Sequence, residues 1–294
     1  MKQPIAYRNG DFLPFAELHI APNDRGFVQG AATAEQLRTF NGRLFQWNEH
    51  WKRLRRSLEI LGLENAIEEA ELVTAADRLV TENYPLASSG SDLGLSIVVT
   101  PGAYASFVSE ETGPTVLAHT YPLPHDRWTS SYRDGVELAT VGVQQVPPEC
   151  WPAELKCRSR MHYYLAEREA AQSRPGAVAL LLDATGAVRE TSTANLLLCN
   201  WESDAPVLVS PPREFILPGV SLGFVHELSK ELGWKFTERE LTVDDVHAHA
   251  VAPRLQHPLE SRTVLSDGAS IQLGDREQTP GRAGQPSFVR FVDV

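Results

Sequence analysis

The feature that most constrains the fold is a change of hydrophobic period just before residue 48. Upstream, Ala34–Thr39 reads as a strand, Asn41-Gly42 as a tight turn and Leu44–Gln46 as the answering strand, a hairpin signature. Downstream, Trp51, Leu54, Leu58 and Leu61 recur at helical spacing, with Asn48 as N-cap and Gly62 as the stop. A chain that changes period this way builds sheets covered by helices. Ile5–Tyr7 and Glu17–Ile20 add extended pieces separated by the turn Asn9-Gly10-Asp11, and a second helix spans about Glu68–Tyr84. A strand at Gly94–Val99 ends in Thr100-Pro101-Gly102. The Pro-rich Tyr121-Pro122-Leu123-Pro124 then breaks the pattern. It suggests a linker at 121–128 between an N-terminal subdomain, 1–120, and a C-terminal one, 129–294.

The second part opens with strands at Val136–Val143 and around Glu154–Cys157, followed by a helix from Met161 to about Gln172. Ala177–Leu182, the turn Asp183-Ala184-Thr185-Gly186 and Val188–Glu190 form a hairpin that runs on to Asn195–Cys199. Leu217-Pro218-Gly219-Val220-Ser221 leads into a helix through about Leu232. The expected class is therefore α/β in the α+β sense, with two subdomains.

Composition removes several functions. A formal net charge of −11 argues against a nucleic-acid partner, whose phosphates require a basic face. The start of the chain has no apolar run after Lys2, so no secretory signal is expected, and nothing reaches the roughly 18 to 20 apolar residues of a membrane helix. Cys150, Cys157 and Cys199 are scattered and lack metal-ligand spacing, which suggests a reducing compartment, the cytoplasm.

Only five of the 27 basic residues are lysines: Lys2, Lys52, Lys156, Lys230 and Lys235. Lys156 closes a short apolar segment, Trp151-Pro152-Ala153-Glu154-Leu155-Lys156, where an amine could lose its proton and attack a carbonyl. Glu190 follows a hairpin turn and could hold a cation. Arg53, early in the helix after Asn48, and the helix start at Val220 and Ser221 could cradle a phosphate. Singly, each is ordinary: a solvated lysine, a glutamate paired with Arg189, an arginine on a solvated helix face, a common helix cap.

Their order and wording are more specific, and resemble the class IV (fold type IV) aminotransferases, which use pyridoxal 5′-phosphate (PLP). Asn23-Asp24-Arg25-Gly26-Phe27-Val28-Gln29-Gly30 is similar to that family's N-terminal signature. Arg53 stands where the family keeps its phosphate arginine, and Lys156 stands at the position of its Schiff-base lysine. Asp183–Leu196, with Glu190 and Asn195, is similar to its most diagnostic segment, and Leu217–Ser221 to its phosphate-binding helix start. The match runs over roughly residues 5 to 245 in the correct order.

The resemblance implies a small N-terminal α/β subdomain, a larger C-terminal pseudo-barrel subdomain, PLP at their interface and a homodimer. It implies that Lys156 forms the imine and moves the substrate proton, and that Glu190 holds the pyridinium. Arg53, Val220 and Ser221 would bind phosphate, Leu217 would pack on the ring, and Asn195 would belong to the cofactor shell. A tyrosine that often bonds the ring oxygen in the family would fall at Met161 or His162, with Tyr163 and Tyr164 just beyond. Substrates would be an amino acid of branched-chain or D-amino-acid type and a 2-oxo acid. An aminodeoxychorismate lyase-like enzyme releasing pyruvate, and a catalytically impaired PLP-fold protein, are the alternatives.

The chain departs from the family in three places. Gly30-Ala31-Ala32-Thr33-Ala34-Glu35 is built of smaller residues than the family's acidic and aromatic ones, which reshapes the substrate pocket. Pro101 stands where relatives carry a carboxylate-binding arginine, leaving Arg38 and Arg160, with Tyr164, as substrate candidates. Beyond Val246 the family's hydroxyl-rich segment is replaced, the expected positions falling near Ala250 and Ala252, so 247–294 reads as divergent. His247, His249 and His257 lie there, but no carboxylate or cysteine completes a metal site.

Overall fold

The computed structural model describes residues 3–87, 91–107, 113–125, 135–202, 205–250 and 288–293. The chain divides into two compact units, Met1–Arg127 with Glu154–Arg160, and Trp128–Ala153 with Met161–Val294.

The first unit is built on a six-stranded sheet ordered β2-β1-β6-β5-β3-β4. Its strands are β1 (Ile5–Arg8), β2 (Asp11–Pro14), β3 (Thr33–Phe40), β4 (Arg43–Leu44), β5 (Leu93–Thr100) and β6 (Thr115–Pro122), and every pairing is antiparallel. The turn at Asn9-Gly10 leads directly into β2. The extended piece expected at Glu17–Ile20 is instead a 3-10 turn, Phe15–Glu17, and loop. Hairpin geometry explains this, because a two-residue turn pairs the residues that immediately follow it. β6 continues through Tyr121 and Pro122, the start of the expected linker; Pro122 is tolerated as the last residue of the strand.

Alternate residues of these strands face two helices, α2 (Trp47–Leu61) and α3 (Glu69–Asn83), preceded by a short α1 (Arg25–Val28). Tyr7, Leu37, Leu95, Ile97 and Val99 from the sheet pack with Leu54, Leu58, Leu72 and Leu79 from the helices. Helix α2 begins at Trp47 with Gln46, not Asn48, at the cap, and ends at Gly62, whose φ of 67° closes the helix in the left-handed conformation that glycine adopts without strain. The signature at Asn23–Gly30 has a structural role here. Buried Asp24 caps α1 by accepting from Gly26 N at 2.7 Å, and takes the hydroxyls of Thr100 and Thr115, each at 2.9 Å.

The second unit holds a seven-stranded sheet, β12-β11-β10-β9-β8-β7, with β13 also on β10. Its strands are β7 (Leu138–Thr140), β8 (Val178–Leu182), β9 (Val188–Thr191), β10 (Ala194–Glu202), β11 (Ala205–Ser210), β12 (Lys235–Glu238) and β13 (Phe288–Asp293). Its helices are α4 (Met161–Ser173), α5 (Val220–Glu231) and α6 (Val243–Ala250). Leu180, Val188, Leu196, Leu198 and Val209 form one core layer; Leu197, Leu208, Ile216 and Leu222 form another. Both α6 and β13 fall in sequence where no regular period was legible.

The segment expected as a strand at Glu154–Cys157 is an irregular strap. It makes a single bridge, Cys157 to Thr33, on the edge of β3 opposite β5. A linear division at 129 counts it with the second part, but residues 154–160 pack within the first unit.

Candidate active site

Two clusters contain the residues singled out in the sequence, one in each unit. The first is centred on the strap. Lys156 donates its backbone N–H to Ser57 Oγ at 3.2 Å, and its carbonyl accepts from Ala34 N at 3.1 Å and Thr33 Oγ1 at 2.9 Å. Arg158 N donates to Ala32 O at 2.7 Å, and Ser159 Oγ to Gly30 O at 2.7 Å. Gly30 has φ +67°, and a Cβ there would stand 3.0 Å from Ser159 Oγ. The backbone around Lys156 is therefore fixed on both sides, to helix α2 and to strand β3. Ser57 is fully buried, so its hydroxyl is committed to this contact.

Arg53 lies one helical turn before Ser57. It is not on a solvated face, being 6% exposed. Its Nε and Nη2 each donate at 2.8 Å to the two oxygens of Glu35, which is 1% exposed. His50 Nδ1 lies 2.7 Å from the same carboxylate. Burial pushes the Glu35 carboxyl up, but the Arg53 charge and the bonds from Arg53 and His50 outweigh it and hold it far below its ordinary value. For His50, burial pulls the imidazole down, Glu35 resists, and the charges of Arg53 and Lys156 add to the fall. Beside Lys156, burial raises the Cys157 thiol, so this cysteine is no thiolate.

The second cluster is centred on Glu190, 2% exposed. Its Oε1 accepts from Tyr163 Oη and Gln145 Nε2, both at 2.7 Å; Oε2 accepts from Leu217 N at 3.1 Å and Asn195 Nδ2 at 3.2 Å. Thr191 Oγ1 shapes the turn into β10 by accepting from Ala194 N at 3.0 Å, which sets Asn195 opposite Glu190 in register. Asn195 also donates to Leu217 O at 3.0 Å, fastening the loop before α5. Arg189, the partner an ordinary reading would give Glu190, turns instead to Asp183 and Glu240. Helix α5 has Gly219 at its cap and no side-chain capping bond; its internal ladder begins at Gly223 N to Gly219 O, 2.9 Å. The N–H groups of Val220, Ser221 and Leu222 therefore lie outside the helix's own bonding, at its positive end. Ser221 is buried.

The substrate candidates are differently placed. Arg38 is buried at the end of β3, 3.8 Å from Asp92 and 4.0 Å over the ring of Phe40, with Nε donating to Thr39 O at 2.9 Å. Arg160 is half-buried at the end of the strap. Tyr164 is 64% exposed on α4, and the neighbouring Tyr163 is the tyrosine that reaches Glu190. His247 is exposed on α6; the side chain of His249, and residues Ala252 and His257, lie outside the described residues. Sequence reasoning missed Gln145 and Tyr163 as partners of Glu190, and Glu35, His50 and Ser57 as partners of Arg53 and Lys156. The charged Glu35 inside an otherwise buried strand was the signal available.

Two sheets carried by two α/β units, with a lysine strapped to one and a glutamate and an uncapped helix start in the other, define a type IV aminotransferase fold. The profile of the family named amino-transferase class IV matches residues 32–252, and the chain belongs to that family. It is 26% identical over 243 residues to D-alanine aminotransferase of Staphylococcus aureus (strain N315), covering 81% of this chain and 80% of that protein. It is 23% identical over 242 residues to a probable branched-chain-amino-acid aminotransferase of Rickettsia conorii, covering 81% and 78%. Among solved structures, a hypothetical aminotransferase from Mycobacterium tuberculosis in its PLP-bound form superposes with a TM-score of 0.70 at 21% identity, covering 83% and 84%. The chain is a class IV aminotransferase, and its cofactor is PLP.

The residues present fit that cofactor. Four neutral donors hold the two oxygens of the buried Glu190 carboxylate, which suits an anion meeting a pyridinium proton. The start of α5 offers backbone N–H groups suited to a phosphate. No helix among the described residues is long and apolar enough to cross a membrane.

Proposed function

We propose that this enzyme moves an amino group between an amino acid of the branched-chain or D-amino-acid type and a 2-oxo acid, with Lys156 as the lysine that takes up the cofactor. The observation that carries the reading is the Glu190 cluster, a buried carboxylate held by four neutral donors. Bound PLP supplies an aldehyde that accepts the amino group and a ring that draws electrons from the substrate Cα. Glu190 holds the proton on the pyridine nitrogen through an oxygen whose direction Tyr163, Gln145, Asn195 and Leu217 N fix. Val220 and Ser221 would bind the phosphate through backbone N–H groups, with Arg53 as a further ligand, and Leu217 would pack on the ring. Lys156 Nζ takes the proton from the substrate Cα and delivers it as an acid. Its fixed backbone limits where Nζ can reach.

Arg38, Arg160 and Tyr164 remain the candidates for the substrate carboxylate and side chain. The enzyme works as a homodimer in the cytoplasm, where Cys150, Cys157 and Cys199 stay as the free thiols they are here.

The test is a visible spectrum of the protein with added PLP, beside the Lys156→Ala variant. A band that borohydride removes, and that the variant never forms, supports Lys156; a band of equal strength in the variant sinks the assignment. Amino transfer from D-alanine or L-leucine to 2-oxoglutarate then separates the two substrate types. Pyruvate release from aminodeoxychorismate with no amino acceptor would overturn both.

A further inference from the structure

We infer that Glu35, backed by His50, is a positioning residue that aims the Arg53 guanidinium at the cofactor's phosphate. This rests on the reading of Arg53 as a phosphate ligand and adds what sets its direction.

The geometry is fork to fork: Arg53 Nε and Nη2 reach the two oxygens of one carboxylate at 2.8 Å each. A guanidinium is planar, so gripping one edge fixes its plane and turns the opposite, Nη1, edge away from Glu35. His50 holds the carboxylate in turn, at 2.7 Å from Oε2, and stands three residues before Arg53 on the same helix. The next turn of that face supplies Ser57 to the N–H of Lys156. Glu35 thus ties strand β3 to the part of α2 that also holds the lysine backbone.

Charge compensation alone makes the opposite prediction. If Glu35 merely neutralised Arg53, removing its charge would strengthen the field at the phosphate and tighten cofactor binding. If Glu35 aims Arg53, removing it loosens the fork and weakens binding, and does so only for a ligand that carries the phosphate.

The experiment titrates the full chain, freed of cofactor, with PLP and separately with pyridoxal, which lacks the phosphate. The Glu35→Gln variant is expected to bind PLP about ten-fold more weakly while pyridoxal changes by less than about two-fold. Unchanged or tighter PLP binding overturns the proposal, as does an equal loss for both ligands, which marks general damage to the fold. If Glu35→Gln does not fold, His50→Gln is titrated in the same way; a smaller loss confined to PLP is expected, and no selective loss overturns the proposal. Arg53→Lys separates the two layers: if it fails to weaken PLP selectively, the phosphate reading of Arg53 itself falls. A selective loss there without one in Glu35→Gln removes only the positioning role.

Discussion

Glu35 and Glu190 are both buried glutamates, 1% and 2% exposed, and their described donors differ in kind. Glu35 is met by a guanidinium fork and an imidazole. The four described donors to Glu190 are a phenol, two amides and a backbone N–H. The first arrangement cancels a charge and orients its partner. The second holds a carboxylate in place through neutral hydrogen bonds, which suits a carboxylate meant to meet a cationic ring. Burial of an acid therefore says little about its role until its donors are sorted into charged and neutral.

The comparison can be broken by substitution. The largest effect is expected from Glu190→Gln, whose amide cannot hold a pyridinium proton: kcat should fall on the order of a thousand-fold in steady-state amino transfer. A loss under ten-fold would show that the neutral cage is structural. Next comes Glu35→Leu, which strands a buried guanidinium and should cost roughly 3 kcal/mol in denaturant unfolding. The double variant Glu35→Leu with Arg53→Met should recover most of that stability; failure to recover would mean the pair is more than mutual compensation. Tyr163→Phe removes one bond to a charged acceptor and should cost about 1.5 kcal/mol, with a smaller kcat loss than Glu190→Gln.

The smallest effect is set by pH. His50 titrates below its ordinary value of 6.5 in the folded chain, so below that pH the unfolded chain binds a proton that the native chain refuses. Its contribution is whole above 6.5 and declines as pH falls. Glu35 acts in the same direction lower down, starting below its ordinary value of 4.5, because the native carboxylate stays ionised after the unfolded one has protonated. Unfolding midpoints measured from pH 8 to 4 should fall in two stages, and His50→Gln should lessen the upper one, to which His119 and His226, also held below their ordinary value, contribute as well.

Much of this was legible in the sequence for physical reasons. The apolar spacing of Trp51, Leu54, Leu58 and Leu61 gave α2, and the turn at Asp183–Gly186 gave the hairpin that carries Glu190. Gln145 and Tyr163 were not legible as its partners, since they come from a loop and a helix that only the fold brings to β9. Arg53 looked like part of a solvated basic run, Lys52 to Arg56, because sequence spacing does not reveal which turn of a helix faces a buried carboxylate. The Lys156 segment resembled a strand because its apolar residues anchor it. Its bonds to β3 and the residue before it extend over only Ala32–Ala34, too few to make a ladder.

The strap also has a consequence for biosynthesis. The first unit is complete only when residues 154–160 arrive, after the chain has already entered the second. At ordinary translation rates β3 waits on the order of ten seconds for the segment that covers its edge. A nascent or truncated chain ending near residue 127 presents that stretch of strand edge uncovered, the kind of template on which other chains pair. A fragment of the first unit alone would therefore aggregate, and adding 154–160 as a peptide would keep it in solution.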